Sequence, residues 1–455
     1  MDRIDWAALL LAIGIVSFQI FVPPPIGLAD NGDFVKITGR FDLFMPNQAN
    51  GFADTNYIID PQHHWTSDII SSEILFAGIA VGLNRIFSST TFDLRWIGAV
   101  HGALYLLTFY LALPLLRRLP VLRRVLLMGT IILILGDVMF VSALNSFYMD
   151  TAAWIFICLG AVLYLRAWCW PTNANRIALL VCLALLLSAK TQHIMAGCIL
   201  FLLILVTRRQ LGFRRQWLTW TAATAALGIV VAVIGTPAGY ASITHFNIIF
   251  FGLLPHSDNV HRDLEQLGLD DSYSRWVGTH TYSDGSPMMD LEFARTFKAR
   301  TGFGRLGAYY ARHPGQSWRL LIEGLNEAGR ERPYLGNYDR RTGVREFQES
   351  NAFAAWSSLK RAIFYHNGRL YLGYVLGLLA LLCTLVWKQS RVQPPGVFAA
   401  AVAFAMLTIF EMIISSMGDV LDTLRHEFVF NGLSDLAVVF AVALIAQSRE
   451  VKGHN

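Results

Sequence analysis

Hydrophobic positions along the chain gather into ten runs: 6–22, 94–116, 124–142, 147–166, 176–189, 192–207, 217–235, 369–387, 396–417 and 431–447. A helix needs about 20 apolar residues to cross a hydrocarbon core. Most of the runs qualify, while 176–189 and 192–207 are short. Residues 74–87 are shorter still and carry Asn84 and Arg85, which predicts a helix lying in the membrane interface. Arg312–Gly329, with Trp318, Leu320, Leu321, Ile322 and Leu325 among polar neighbours, predicts an amphipathic helix on the membrane or on the bundle. The expected fold class is an all-α polytopic membrane protein of about ten transmembrane helices. Two large loops lie on its outer face, the second forming a small helical subdomain. The chain then divides into a membrane module over 1–235 with a first outer loop at 23–93, an outer subdomain over 236–368, and carboxy-terminal spans over 369–455.

Charge parity tests this threading. With the amino terminus in the cytoplasm and 74–87 not spanning, the cytoplasmic connections hold Arg117, Arg118, Arg123, Arg124, Arg166, Arg176, Arg208, Arg209, Arg214, Arg215, Lys388 and Arg391. Arg449 and Lys452 fall in the tail. The short outer connections hold little more than Lys190 and Arg425. This is a positive-inside pattern with both termini cytoplasmic.

Composition agrees: 54% of the 455 residues are hydrophobic and only 15% charged, which excludes a soluble globular protein. The net charge of +5 is concentrated in the loops, so it reads as a topology signal and not as a nucleic-acid footprint. Residues 6–22 read as an uncleaved first span, not a signal peptide. The five cysteines lie in or beside apolar runs without a CxxC and read as small hydrophobes.

The threading brings nearly every unusual polar group to the outer face. Asp30-Asn31-Gly32-Asp33 follows the first span directly, and a positioned carboxylate there is a candidate general base. Asp150, after Tyr148, opens an apolar helix, where a carboxylate also favours the helix dipole. Lys190, Gln192 and His193 form a hinge between the two short spans, and Arg425 and His426 stand before the last one. These cations are candidate ligands for a phosphate. Asp137 and Glu411 are acids within spans, each either functional or a packing partner. The histidines show no metal-site spacing, and no P-loop or GxSxG occurs.

This arrangement resembles the GT-C superfamily, polytopic glycosyltransferases that use sugars linked to polyprenyl phosphate. More narrowly, Asn31-Gly32-Asp33-Phe34, Asn145-Ser146-Phe147-Tyr148, Phe250–Ser257 with Asp263-Leu264 and Leu267-Gly268-Leu269, and Gly418–Phe430 resemble the bacterial WsfD-like glycan hexosyltransferases. Asp150 stands where many relatives carry Glu, a departure at that position. The resemblance implies a bacterial inner-membrane enzyme that moves a hexose from a polyprenyl-phosphate donor to a glycan or lipid-linked acceptor on the outer face, with inversion. It implies catalytic roles for Asp33, Asp30 and Asp150, and substrate-binding roles for Lys190, His193, Arg425, His426, Asn31 and Tyr148. A divalent cation (Mg or Mn) between Asp30 and Asp33 is compatible with it but not required. Two other readings stand beside it. An O-antigen-ligase or polymerase-like enzyme would use His313, Arg330 and Arg332, and a transporter or flippase would use Asp137 and Glu411.

Overall fold

The computed structural model describes residues 1–46, 51–65, 69–237, 239–390, 395–418 and 420–448. Arg391, Arg449 and Lys452 of the sequence analysis lie outside the described residues, as do Asp68 of the first loop and Asp419 within Gly418–Phe430. Helices form where the apolar runs predict them. α1 spans Arg3–Phe21. In the first loop, β1 (Leu43–Phe44) and β2 (Asn56–Ile59) precede α2 (Glu73–Arg85), and β3 (Thr91–Asp93) follows it. α3 is Arg95–Leu116, α4 Val121–Leu135, α5 Val138–Leu144, α6 Met149–Cys169, α7 Asn173–Leu187, α8 Ile194–Val206 and α9 Arg215–Ile234. The outer segment holds α10 (Tyr240–Phe246), α11 (Val260–Leu267), α12 (Leu291–Arg300), α13 (Phe303–Arg312), α14 (Pro314–Ala328) and α15 (Ala355–Phe364). Three helices close the chain: α16 (Gly368–Ser390), α17 (Pro395–Met417) and α18 (Phe428–Ser448).

Seven of the described helices are long and apolar enough to cross a membrane, or eight if the pair α4–α5, bent by 59°, counts as one span. α7 and α8 are the short apolar pair. The protein is an all-α polytopic membrane protein, with one minor addition that the sequence did not announce. β1, β2 and β3 form a small antiparallel sheet in the first loop, with Leu43 opposite Ile59 and Tyr57 opposite Phe92.

α2 packs one stripe against the protein and leaves another open. Phe76, Ala77, Ala80 and Val81 are buried, while Leu75, Ile79, Leu83 and Ile86 are exposed on the opposite stripe. Its start is fastened by Glu73, whose carboxylate meets His101 Nε2 on α3 at 3.1–3.2 Å. Asp137, read as an acid inside a span, lies instead at the α4–α5 break. It caps α5 by accepting from the Met139 amide at 3.0 Å, and it accepts from the Ser357 amide of α15 at 2.9 Å.

The two ends of the bundle differ. At one end Arg117 and Arg124 bind Asp5, Arg124 also binds Asp2, and Arg123 donates to the Ala446 carbonyl at the end of α18. The start of α1, the α3–α4 connection and the end of α18 therefore meet there. The other end carries the first loop and the outer segment. Residues 243–320 of that segment close around Phe246, Phe250, Phe297 and Tyr309 as a helical subdomain. α14 packs on α16 and α17, as an amphipathic helix on the bundle. The stretch after it crosses to the first loop: Gly27 and Ala29 donate to the carbonyls of Asn337 and Gly336, Ala53 to that of Tyr338, and the Thr55 amide to Asp339 Oδ2.

Candidate functional site

α6 and α18 are the central helices, with 67% of their membrane-length windows buried against 17–33% for the other spans of full length. Their amino-terminal ends meet at the loop-bearing end of the bundle. α6 brings Asp150 in its first turn. The single turn Thr423–His426 that leads into α18 brings Arg425 and His426. The connection between α7 and α8 adds Lys190, Gln192 and His193.

The chain leaving α1 reaches the same place through a tight loop. Asp30 Oδ1 accepts from the amides of Gly32 (2.7 Å) and Phe34 (3.0 Å), a local side-chain turn that fixes the loop. Gly32 sits at φ +102°, a conformation that a side chain would strain. Phe34 wedges edge-on between Phe147 and Tyr148, with ring centroids at 5.6 and 4.7 Å. The Tyr148 hydroxyl donates to the Ala29 carbonyl at 2.8 Å and accepts from the Asn31 amide at 3.0 Å. Asn31 in turn donates its side-chain amide to Asp422. Asn31 and Tyr148, expected to bind substrate, here hold the loop in position.

That loop presents Asp33 to Arg425. The guanidinium touches three carboxylates: Asp33 Oδ2 at 2.9 Å, Asp150 Oδ2 at 3.2 Å and Asp422 Oδ2 at 2.6 Å. Its face lies over the Tyr148 ring at 4.9 Å. Asp33 also binds Lys36, one helical turn further on. Burial pushes the Asp33 carboxyl up, but Arg425 and Lys36 outweigh it and hold the group well below the usual carboxylate range. For Asp30 burial prevails over the two amides and lifts it from 3.8 to about 6.

Asp150 is the hub behind Arg425. Lys190 Nζ lies 2.8 and 2.9 Å from its two oxygens, and His193 Nε2 lies 3.0 Å from Oδ1. His193 Nδ1 meets Glu411 Oε2 of α17 at 2.9 Å, so the ring bridges two buried carboxylates. With both nitrogens engaged, His193 supports Asp150 in this structure. His426 Nδ1 lies 2.8 Å from Gln192 Oε1 and 3.4 Å from Lys190 Nζ. Every oxygen of Asp150 carries two cationic or imidazole partners, which makes it an anchor for Lys190 and Arg425.

The chain belongs to the YfdI N-terminal transmembrane domain family. The match runs over residues 2–454, essentially the whole chain. No curated protein and no solved structure matches it. Membership in a transmembrane-domain family agrees with the helices described above and makes this a multi-pass membrane protein.

All nine sequence-predicted site residues fall in this one neighbourhood. The residues of the two other readings are held in local pairs. His313 stacks on Tyr309 at 4.2 Å and meets Gln266, while Arg330 and Arg332 share Glu349. Asp137 is a cap and Glu411 the partner of His193. Lys36 carried no role in the sequence reading, although its spacing of three from Asp33 was visible. The pairing of Glu411 with His193 had no sequence signal, because 218 residues separate them. No group of three or more potential metal ligands occurs among the described residues. Asp33 is already matched by Lys36 and Arg425, so a divalent cation there would have to displace one of them.

Proposed function

We propose that this protein is an integral-membrane glycosyltransferase that moves a hexose from a polyprenyl-phosphate donor to a glycan or lipid-linked acceptor on the outer face, with inversion. The observation that carries the reading is Asp33 meeting Arg425 at the loop-bearing end of the bundle, with Asp150, Lys36, Lys190 and His426 around them. The acceptor hydroxyl forms its bond to the anomeric carbon while the bond to the phosphate oxygen breaks. Its proton passes to the Asp33 carboxylate, and the phosphate leaves with the bonding electrons. An oxocarbenium-like transition state needs the base and the leaving group on opposite faces of the sugar. Arg425 is suited to the leaving phosphate because its planar fork binds such groups bidentately. A carboxylate held far below its ordinary range is a weak base. The donor phosphate competes with Asp33 for the same guanidinium, so donor binding releases the carboxylate and raises its basicity as the reaction requires. Asp150 and His193 keep Lys190 and Arg425 oriented throughout.

The test is sugar transfer from a panel of polyprenyl-phosphate hexoses by purified protein in detergent, comparing wild type with Asp33→Asn. Release of polyprenyl phosphate by wild type and a drop of about 10²-fold or more in a folded Asp33→Asn protein is the expected result. Equal activity of the two proteins removes Asp33 as the base. A wild type silent with every donor and acceptor extract removes the glycosyltransferase reading.

A further inference from the structure

The end of the bundle opposite the charged site contains a cavity of about 530 Å³ among α1, α3, α4, α6 and α18, lined by Ile15, Ala112, Ile131, Ala161 and Val439. That volume falls within the roughly 300–1,000 Å³ range of ligand sites. Away from the rim its wall is mostly apolar. Tyr105 donates its hydroxyl to the Leu135 carbonyl at 2.9 Å, and Thr108 to the Leu104 carbonyl at 3.0 Å. The polar residues at the rim are Arg118 and Gln447.

Arg118 belongs to a cluster whose other members are engaged. Arg117 binds Asp5, Arg124 binds Asp2 and Asp5, and Arg123 donates to the Ala446 carbonyl. Arg118 is exposed and has no such partner among the described residues. Together with Arg3, five guanidiniums stand against the carboxylates of Asp2 and Asp5 among the described residues at this end.

We propose that this cavity binds one acyl chain of an anionic phospholipid, whose phosphate pairs with Arg118. Hydrocarbon satisfies the wall, and the unmatched positive charge selects the headgroup. A polyprenyl-phosphate donor bound as proposed above would place its phosphate beside Arg425, at the other end of α6 from Arg118. With 21 residues at 1.5 Å each, that end is roughly 30 Å away. The lipid site therefore stands independently of the reaction proposed above.

The test is lipid retained by full-length protein after purification in maltoside detergent, identified and counted by mass spectrometry. Wild type is expected to keep about one anionic phospholipid per chain. Arg118→Glu, which reverses the charge at the rim, and Ala161→Phe, which fills the cavity, should each lower this at least tenfold. If Ala161→Phe aggregates, Arg118→Glu decides alone, since it alters an exposed side chain. The proposal fails if wild type keeps no lipid, if Arg118→Glu keeps as much as wild type, or if folded Ala161→Phe does so. It fails equally if the retained species is zwitterionic or a polyprenyl phosphate.

Discussion

Arg425 is the residue that joins the carboxylates of the candidate site. Its guanidinium serves Asp33, Asp150 and Asp422 together. Arg425→Ala leaves these carboxylates short of a cation, a change that costs about 3–5 kcal/mol where a buried pair is broken. The expected outcome is a markedly lower thermal midpoint in detergent. Arg425→Lys should recover part of the stability but not the activity, because an ammonium cannot span three carboxylates or stack on Tyr148. Asp30 gives a pH signature. Its folded-state value of about 6 lies above the ordinary 3.8, so its contribution to stability is complete below about pH 3.8 and is lost as pH rises through about 6. Asp30→Asn, which can still accept from the Gly32 and Phe34 amides, should match wild type near pH 4. Above pH 6.5 it should exceed wild type by up to about 3 kcal/mol, read from unfolding midpoints across that range. The members of the site were all legible as residues, since charged groups in an apolar chain stand out. Their partners were not. Nothing in the sequence says that His193 faces Asp150 and Glu411.

Among the elements, the bend between α4 and α5 shows how a span is broken and still held. The Asp137 carboxylate satisfies amides of both α5 and α15. Asp137→Ala removes the cap and should cost about 1–2 kcal/mol without a specific loss of transfer activity. A comparison of melting with turnover per folded molecule separates the two. The seat of α14 depends on a close approach. A Cβ on Gly324 would lie 2.4 Å from Ser416 Cβ on α17, and Ser416 donates to the buried Glu427. Gly324→Val should therefore destabilise by about 1–3 kcal/mol, detectable as a lowered midpoint, through overpacking at that contact. The apolar runs set helix existence and approximate limits. They did not announce the bend, because the sequence Leu135-Gly136-Asp137-Val138 stays apolar on both sides of one acid.

At the scale of the whole molecule, the bundle has an arginine-rich end and a loop-bearing end. The start of α1 and the end of α18 share the first. If the arginine-rich end faces the cytoplasm, as the positive-inside pattern predicts, Asp284→Cys on the subdomain should react with a membrane-impermeant maleimide in intact cells. Arg209→Cys should react only after lysis. The opposite pattern reverses the topology. The sequence by itself determined the membrane class, the places of the helices and which polar residues gather at one end, because transfer from water to hydrocarbon acts on each segment by its own composition. Only the tertiary structure decided that the stretch after α14 clamps the first loop through backbone hydrogen bonds at Gly27, Ala29 and Ala53. It alone also joined Asp33, Asp150 and Arg425 around one guanidinium. Those contacts link residues as many as 392 positions apart, and local periodicity carries no information on partners at that separation.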